Sequence, residues 1–173
     1  IDLLWNGYSI TPERQKKVAF SKPYLRNRQV IVVKKDSGIS SFKQMKNYEL
    51  GMQTGSTAEQ WYETKQDVLH AKKTVLYDTI SNSFLDLNAG RIQGILLDEV
   101  YADYYIAHMA KSSEYKVIQN DRVPMDLFAV GMRKGDKTLR QKVNQGLAKL
   151  QKNGQLRKLN EKWFGRNNSW LGK

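Results

Sequence analysis

The sequence has no cysteine, which excludes disulfides, cysteine-built zinc sites and thiol catalysis. Its two histidines, His70 and His108, stand far from the i, i+4 spacing of paired helical metal ligands. No Ser–His–Asp constellation forms around them, so triad-type nucleophilic catalysis is not indicated. No apolar run approaches the ~18 residues that a membrane span needs. There is no internal repeat, low-complexity tract or long linker. No secretory signal is recognisable, and residues 1–5 already read as a strand. The expectation is that an N-terminal segment precedes Ile1.

What is present is an ordinary globular composition. The 173 residues are 40% hydrophobic. A globule of this size buries roughly 70% of its unfolded surface, so it needs no covalent staples. It can form one domain or two small lobes. The net charge is +12, carried by Lys16-Lys17, Lys34-Lys35, Lys72-Lys73 and a series between residues 137 and 162. Scattered pairs of this kind read as solvated faces. Attraction to an anionic membrane or wall ranks second, and a nucleic-acid partner is not expected.

Patterning predicts strands at 29–34, 48–53, 73–77, 93–97, 115–118 and 127–132. A short helix is predicted near 40–45, and helices at 58–66, 79–89, 100–110, 137–152 and 155–163. Ser56 is a natural N-cap for the first of these, and Gly90 a stop for the second. Leu139, Val143, Leu147 and Leu150 form one stripe of the 137–152 helix. Strands alternating with helices predict βαβ units around a mostly parallel sheet.

In open parallel sheets, ligands bind beyond the carboxyl ends of the strands. Three polar features fall at such places. The turn Asn6-Gly7-Tyr8-Ser9 leads to Arg14, in the first turn of a short helix. Thr54-Gly55-Ser56-Thr57 joins a strand to a helix, and Asp98 ends the strand Ile95-Leu96-Leu97. Arg14 offers a planar fork to a carboxylate. The Gly55–Thr57 amides stand at a helix N-terminus, which attracts anions, and Gly55 permits close approach. Asp98 offers a negative partner to a cation. Singly, these read as a surface arginine, a helix entry and an N-cap. Together they suit a zwitterionic α-amino acid. Trp61 and Tyr62 read as core, and Tyr101, Tyr104 and Tyr105 as packed on the sheet. Trp5 and Tyr8 stand near the site by sequence.

Several segments carry a resemblance. They are Asn6-Gly7-Tyr8-Ser9-Ile10-Thr11-Pro12-Glu13-Arg14, Val18-Ala19-Phe20-Ser21-Lys22-Pro23-Tyr24, Gly51-Met52-Gln53-Thr54-Gly55-Ser56-Thr57-Ala58, Leu97-Asp98-Glu99 and Leu159-Asn160-Glu161-Lys162-Trp163-Phe164-Gly165. Jointly they resemble the extracellular solute-binding proteins, family 3, of bacterial polar amino-acid ABC importers. The resemblance implies an α/β, periplasmic-binding-protein-like type II fold, with one complete lobe and remnants of the other. Residues 1–28 and 125–173 would belong to lobe 1 and residues 29–124 to lobe 2. Crossing strands would lie near 26–30 and 125–128.

It also implies roles. Arg14 would clamp the ligand α-carboxylate, assisted by the Ser9 hydroxyl and amide. The Gly7 carbonyl would accept an ammonium proton. Thr57 would close on the carboxylate, Asp98 would bind the α-ammonium, and Gln53 would face the ligand side chain. No cofactor and no metal is implied, and no chemistry. The expected partners are a polar amino acid and the permease subunits of an ABC importer. The expected location is the periplasm or, as a membrane-tethered lipoprotein, the cell surface. With part of lobe 1 upstream of Ile1, this chain is expected to bind ligand weakly or not at all, and either to dimerise, with exchange of segments as one route, or to show disordered lobe-1 remnants. Two alternatives share the fold: a cyclohexadienyl or arogenate dehydratase-like enzyme, and a sensor-kinase module. The enzyme would need an extra acid over the leaving group, and near Gln53 or Asp98 the sequence offers only Glu99.

Overall fold

The computed structural model describes residues 1–109 and 112–171. The chain divides into two compact units, Ile1–Asn27 with Met125–Lys173, and Arg28–Pro124. The first opens with β1 (Leu3–Leu4), α1 (Pro12–Lys17), β2 (Ala19–Phe20) and β3 (Leu25–Asn27). The second contains β4 (Gln29–Lys34), β5 (Glu49–Gln53), α2 (Thr57–Thr64), β6 (Lys73–Tyr77), α3 (Ile80–Asn88), β7 (Gly94–Asp98), α4 (Glu99–His108) and β8 (Tyr115–Ile118). The chain returns to the first unit through β9 (Asp126–Phe128), β10 (Gly131–Met132), α5 (Lys137–Lys152) and α6 (Gln155–Phe164). A 3₁₀ turn, Phe42–Asn47, stands where the short helix was expected. Ala110, the predicted end of the 100–110 helix, falls outside the described residues.

The second unit is built on a five-stranded sheet of order β6-β5-β7-β4-β8. β5 runs parallel to β6 and β7, while β4 runs antiparallel to β7 and β8. The sheet is therefore mixed, not mostly parallel. β4 sits between two strands that are not its sequence neighbours, so the local alternation of elements says nothing about its direction. Its run Val30-Ile31-Val32-Val33 is wholly buried, as expected for a strand covered on both faces. Ile31 and Val33 join Phe42, Met45, Leu50 and Leu69 on one side. Val30 and Val32 join Phe84, Leu87, Ile92 and Ile95 on the other. The period of two in the strand thus feeds two cores. Tyr62 is buried in the first, with Trp61 packed against it. Tyr101 and Tyr105 pack against the second.

In the first unit, β1, β10 and β2 form one antiparallel sheet and β3 pairs with β9. The predicted 127–132 strand is therefore two. The chain changes partners between them: Ala129 N–H donates to the Tyr8 carbonyl and Val130 N–H to Ser21 Oγ. α5 spans its predicted range, but of its stripe only Leu147 is fully buried; Leu139, Val143 and Leu150 are half-buried. In α6, Leu156 is buried while Leu159 and Trp163 are exposed. Charge also divides unevenly. Residues 28–124 hold twelve basic and twelve acidic side chains, so the whole of the +12 belongs to the first unit. The basic residues are spread over both units; the net charge divides because the first unit holds only five of the seventeen acids.

Asp126, opening β9, is a mostly buried acid. Ser9 Oγ donates to its Oδ2 at 2.6 Å. Burial pushes its carboxyl above the usual range. Hydrogen bonds from Ser9, Asn27 and its own backbone, and the Arg14 charge, oppose this only in part. A folded-state pKa above the unfolded one means that the native state holds the proton more tightly. The associated stability is present below the ordinary carboxylate range and lost as pH rises through the raised value.

Two predictions follow from this packing. Phe84 stacks on Tyr105, with ring centroids 3.6 Å apart, and meets Tyr115 edge-on. Phe84→Ala is expected to destabilise by about 3–5 kcal/mol, read from the urea midpoint. Asp126→Asn keeps an acceptor for Ser9 but removes the buried charge. Its melting temperature relative to the unsubstituted protein is expected to be higher at pH 7 than at pH 4; an equal difference at both pH values would contradict the assignment.

Candidate functional site

Each unit holds its own group of candidate residues. In the first, Thr11 caps α1: its Oγ accepts from Arg14 N–H at 3.2 Å, with Pro12 opening the helix. This fixes Arg14 in the first turn. Its Nη1 donates to the Ser9 carbonyl at 3.1 Å, and the guanidinium carbon lies 4.5 Å from the Tyr8 ring centroid. Tyr8 in turn packs on Phe20. A guanidinium held over an aromatic face by one of its five N–H groups is a pre-set fork. Gly7 is exposed in the turn before it. Trp5 is exposed beside Tyr24.

Ser9 is buried, and its hydroxyl proton is committed to Asp126. The hydroxyl through which Ser9 was expected to assist a ligand carboxylate thus donates to Asp126 in this structure. The β9 backbone forms a bridge with Ser9 opposite Phe128, which brings Asp126 within reach.

In the second unit, β5 and β7 are parallel, so Gln53 and Asp98 end at one edge of the sheet. α2 and α4 begin there. A cleft of about 270 Å³ opens at this edge. Gln53, Ser56, Thr79, Ser81, Asp98 and Tyr101 line it, together with apolar groups that include Leu96 and Leu97. Asp98 is its one charged lining residue among those described. Asp98 occupies the N-cap position of α4 without capping through its side chain. Its Oδ1 accepts instead from Gln29 Nε2 at 2.8 Å. The same nitrogen reaches Thr57 Oγ1 at 3.3 Å. Gln53 lines the cleft while its amide donates to the Asp78 carbonyl at 3.0 Å.

The helix entry at α2 departs from expectation. Gly55 takes φ +70°, a value that favours glycine. Its N–H donates to Glu59 Oε2 at 2.5 Å, and Ser56 N–H donates to the Gln53 carbonyl. Ser56 Oγ accepts from Glu59 N–H. Glu59 is therefore the anion at this turn, and the Gly55 and Ser56 amides are engaged within the protein. Of the predicted trio, Thr57 remains beside Asp98.

Glu99 does not line the cleft. It pairs with Arg28 at 3.8 Å and accepts from Gln119. His70 sits beside Gln66 and His108 beside Tyr104. Among the described residues, no group of three or more His, Asp or Glu could hold a metal. Two residues escaped the sequence reading, Gln29 and Asp126. The available signal was a lone polar residue opening or adjoining an apolar strand.

The family model for bacterial extracellular solute-binding proteins, family 3, matches residues 1–166. ABC transporter arginine-binding protein 1 of Escherichia coli (strain K12) is 31% identical over 94% of this chain and 66% of its own length. The L-cystine-binding protein TcyJ of the same strain is 31% identical over 95% of this chain and 60% of its own. The chain thus spans 60–66% of the length of these curated relatives. A crystal structure of an ABC uptake transporter substrate binding protein from Streptococcus pneumoniae with bound histidine superposes with a TM-score of 0.87. It is 40% identical, over 98% of this chain and 70% of that one. The fold is accordingly the periplasmic-binding-protein-like α/β fold, and the chain belongs to the bacterial extracellular solute-binding proteins, family 3.

Proposed function

We propose that the protein binds a polar α-amino acid outside the cell and hands it to an ABC importer unchanged. The observation that carries this reading is a pair of opposite charges, each fixed by a neutral partner. Arg14 is held by the Ser9 carbonyl and the Tyr8 face; Asp98 is held by Gln29 at a polar cleft. In this reading Arg14 takes the α-carboxylate, with the Ser9 amide. Asp98 takes the α-ammonium, with the Gly7 carbonyl. Thr57 adds a hydroxyl and an amide to the carboxylate, and Gln53 faces the ligand side chain. The cleft's one acid and several hydroxyls favour a neutral or cationic side chain, in keeping with the arginine, cystine and histidine named for the relatives.

Residues 1–28 and 125–173 are assigned to lobe 1, and 29–124 to lobe 2. The unit boundaries at Asn27/Arg28 and Pro124/Met125 support crossings there. Two-lobe closure about those crossings would bring both groups to one ligand in the bound state. The partners are the permease subunits, and the protein is membrane-tethered. A dehydratase on this fold needs a raised carboxyl above the leaving group, and Asp126 is such a carboxyl. One of its oxygens is held by Ser9 and the other is buried, which favours a structural role and a binding protein.

Calorimetric titration of the full-length protein with L-arginine, L-histidine, L-cystine and L-glutamine tests the proposal. At least one is expected to bind saturably. Arg14→Ala is expected to weaken that binding by more than ~10-fold, because a hydrogen bond to a charged group is worth about 1.5–3 kcal/mol. Asp98→Asn is expected to weaken it comparably. Unchanged affinity in both variants, or turnover of arogenate or prephenate, would overturn the reading.

A further inference from the structure

We infer that Gln29 is a positioning residue of the ligand site, orienting Asp98 and Thr57 through its side-chain amide; the inference rests on the amino-acid-binding reading above. Gln29 opens β4 and is the cross-strand partner of Asp98 on β7. It is 4% exposed and is followed by four fully buried apolar residues. Its Nε2 donates to Asp98 Oδ1 at 2.8 Å and to Thr57 Oγ1 at 3.3 Å. A primary amide nitrogen has two protons, so both are committed. Its Oε1 is buried with no hydrogen-bond partner among the described residues.

That orphan oxygen decides against a stabilising role. A buried acceptor without a partner is unfavourable, and an apolar side chain of similar shape would remove it. The four residues behind it, Val30 to Val33, are apolar. What the amide supplies is direction. Thr57 Oγ1 accepts from Gln29, so its own proton must point elsewhere, and toward a ligand the hydroxyl acts as a donor. A donor suits a carboxylate and not an ammonium. The group that Gln29 presents to Asp98 is neutral. A lysine or arginine in the same place would orient Asp98 equally well but would neutralise it, and with it the attraction for an α-ammonium. The flanking charges, Arg28 and Glu99, pair with each other at 3.8 Å.

Three variants of the full-length protein test this by titration with L-arginine and L-histidine between pH 5 and pH 8. Gln29→Met keeps shape and removes both donors; it is expected to bind at least ~10-fold more weakly while remaining folded by its melting curve. Combined with Asp98→Asn, its effect is expected to be less than additive. Gln29→Glu sets two carboxyl groups side by side, so one pKa rises. It is expected to bind poorly at pH 8 and to recover toward the unsubstituted affinity at pH 5, where the protonated carboxyl donates to Asp98. A residue that only supports the fold would show no such recovery. Unsubstituted protein that binds no amino acid would overturn the amino-acid reading and this inference with it. Normal binding accompanied by unchanged affinity in Gln29→Met, or by a pH-independent Gln29→Glu, would overturn this inference alone.

Discussion

The antiparallel pairing of β4 with β7 is the constraint on which the second unit depends. β4 is buried on both faces, so its register cannot slip by one residue without moving every valine and isoleucine to the opposite core. The same register sets Gln29 against Asp98. The apolar part of the strand therefore fixes where its polar end must stand. Stability and site geometry are not separate properties here, because the packing of Val30 to Val33 holds the amide that holds the acid.

Both units place their charged group by a similar device. Asp98 is held by a buried amide, and Arg14 by the Ser9 carbonyl and an aromatic face. Ser9 is itself held by Asp126. Gln29 and Ser9 are both more buried than the Asp98 and Arg14 side chains they support. Burial makes the support rigid, since breaking its hydrogen bond would strand a polar atom away from water. It also shifts energetics in a recognisable way, as the raised carboxyl of Asp126 shows. A ligand meeting such groups has less side-chain ordering to induce on binding.

Much of this was legible in the residues. The runs at 29–34, 73–77, 115–118 and 137–152 carry their period openly, and those elements appear at the predicted places. Arg14, Thr57 and Asp98 were visible because capping and strand-end positions leave local marks. Non-local matters were not visible. The direction of β4 depends on partners far away in sequence. The break between β9 and β10 depends on Ser21 and Tyr8, which take up the backbone of Val130 and Ala129. Glu59 folding back onto Gly55 could have been anticipated, as an acid three residues after the Ser56 cap is a capping pattern. Gln29 and Asp126 could not be ranked, because one polar residue beside an apolar run looks the same whether it faces water or a partner.

The division of charge bears on how such a site recognises its ligand. The second unit is balanced, and Asp98 is the one charge among the described residues lining its cleft. In the proposed reading an ammonium would be recognised there by contact, not by a field. The first unit carries the full +12, so its surroundings favour an approaching carboxylate. A zwitterion has no net charge and feels little long-range pull. In the proposed reading its two ends would be told apart at short range, by Arg14 and Asp98. Exposed lysines are screened within about 8 Å at physiological salt. A half-buried fork on a tyrosine face and an acid held by a buried amide are screened less, which is why the proposed reading rests on these two side chains rather than on the net charge.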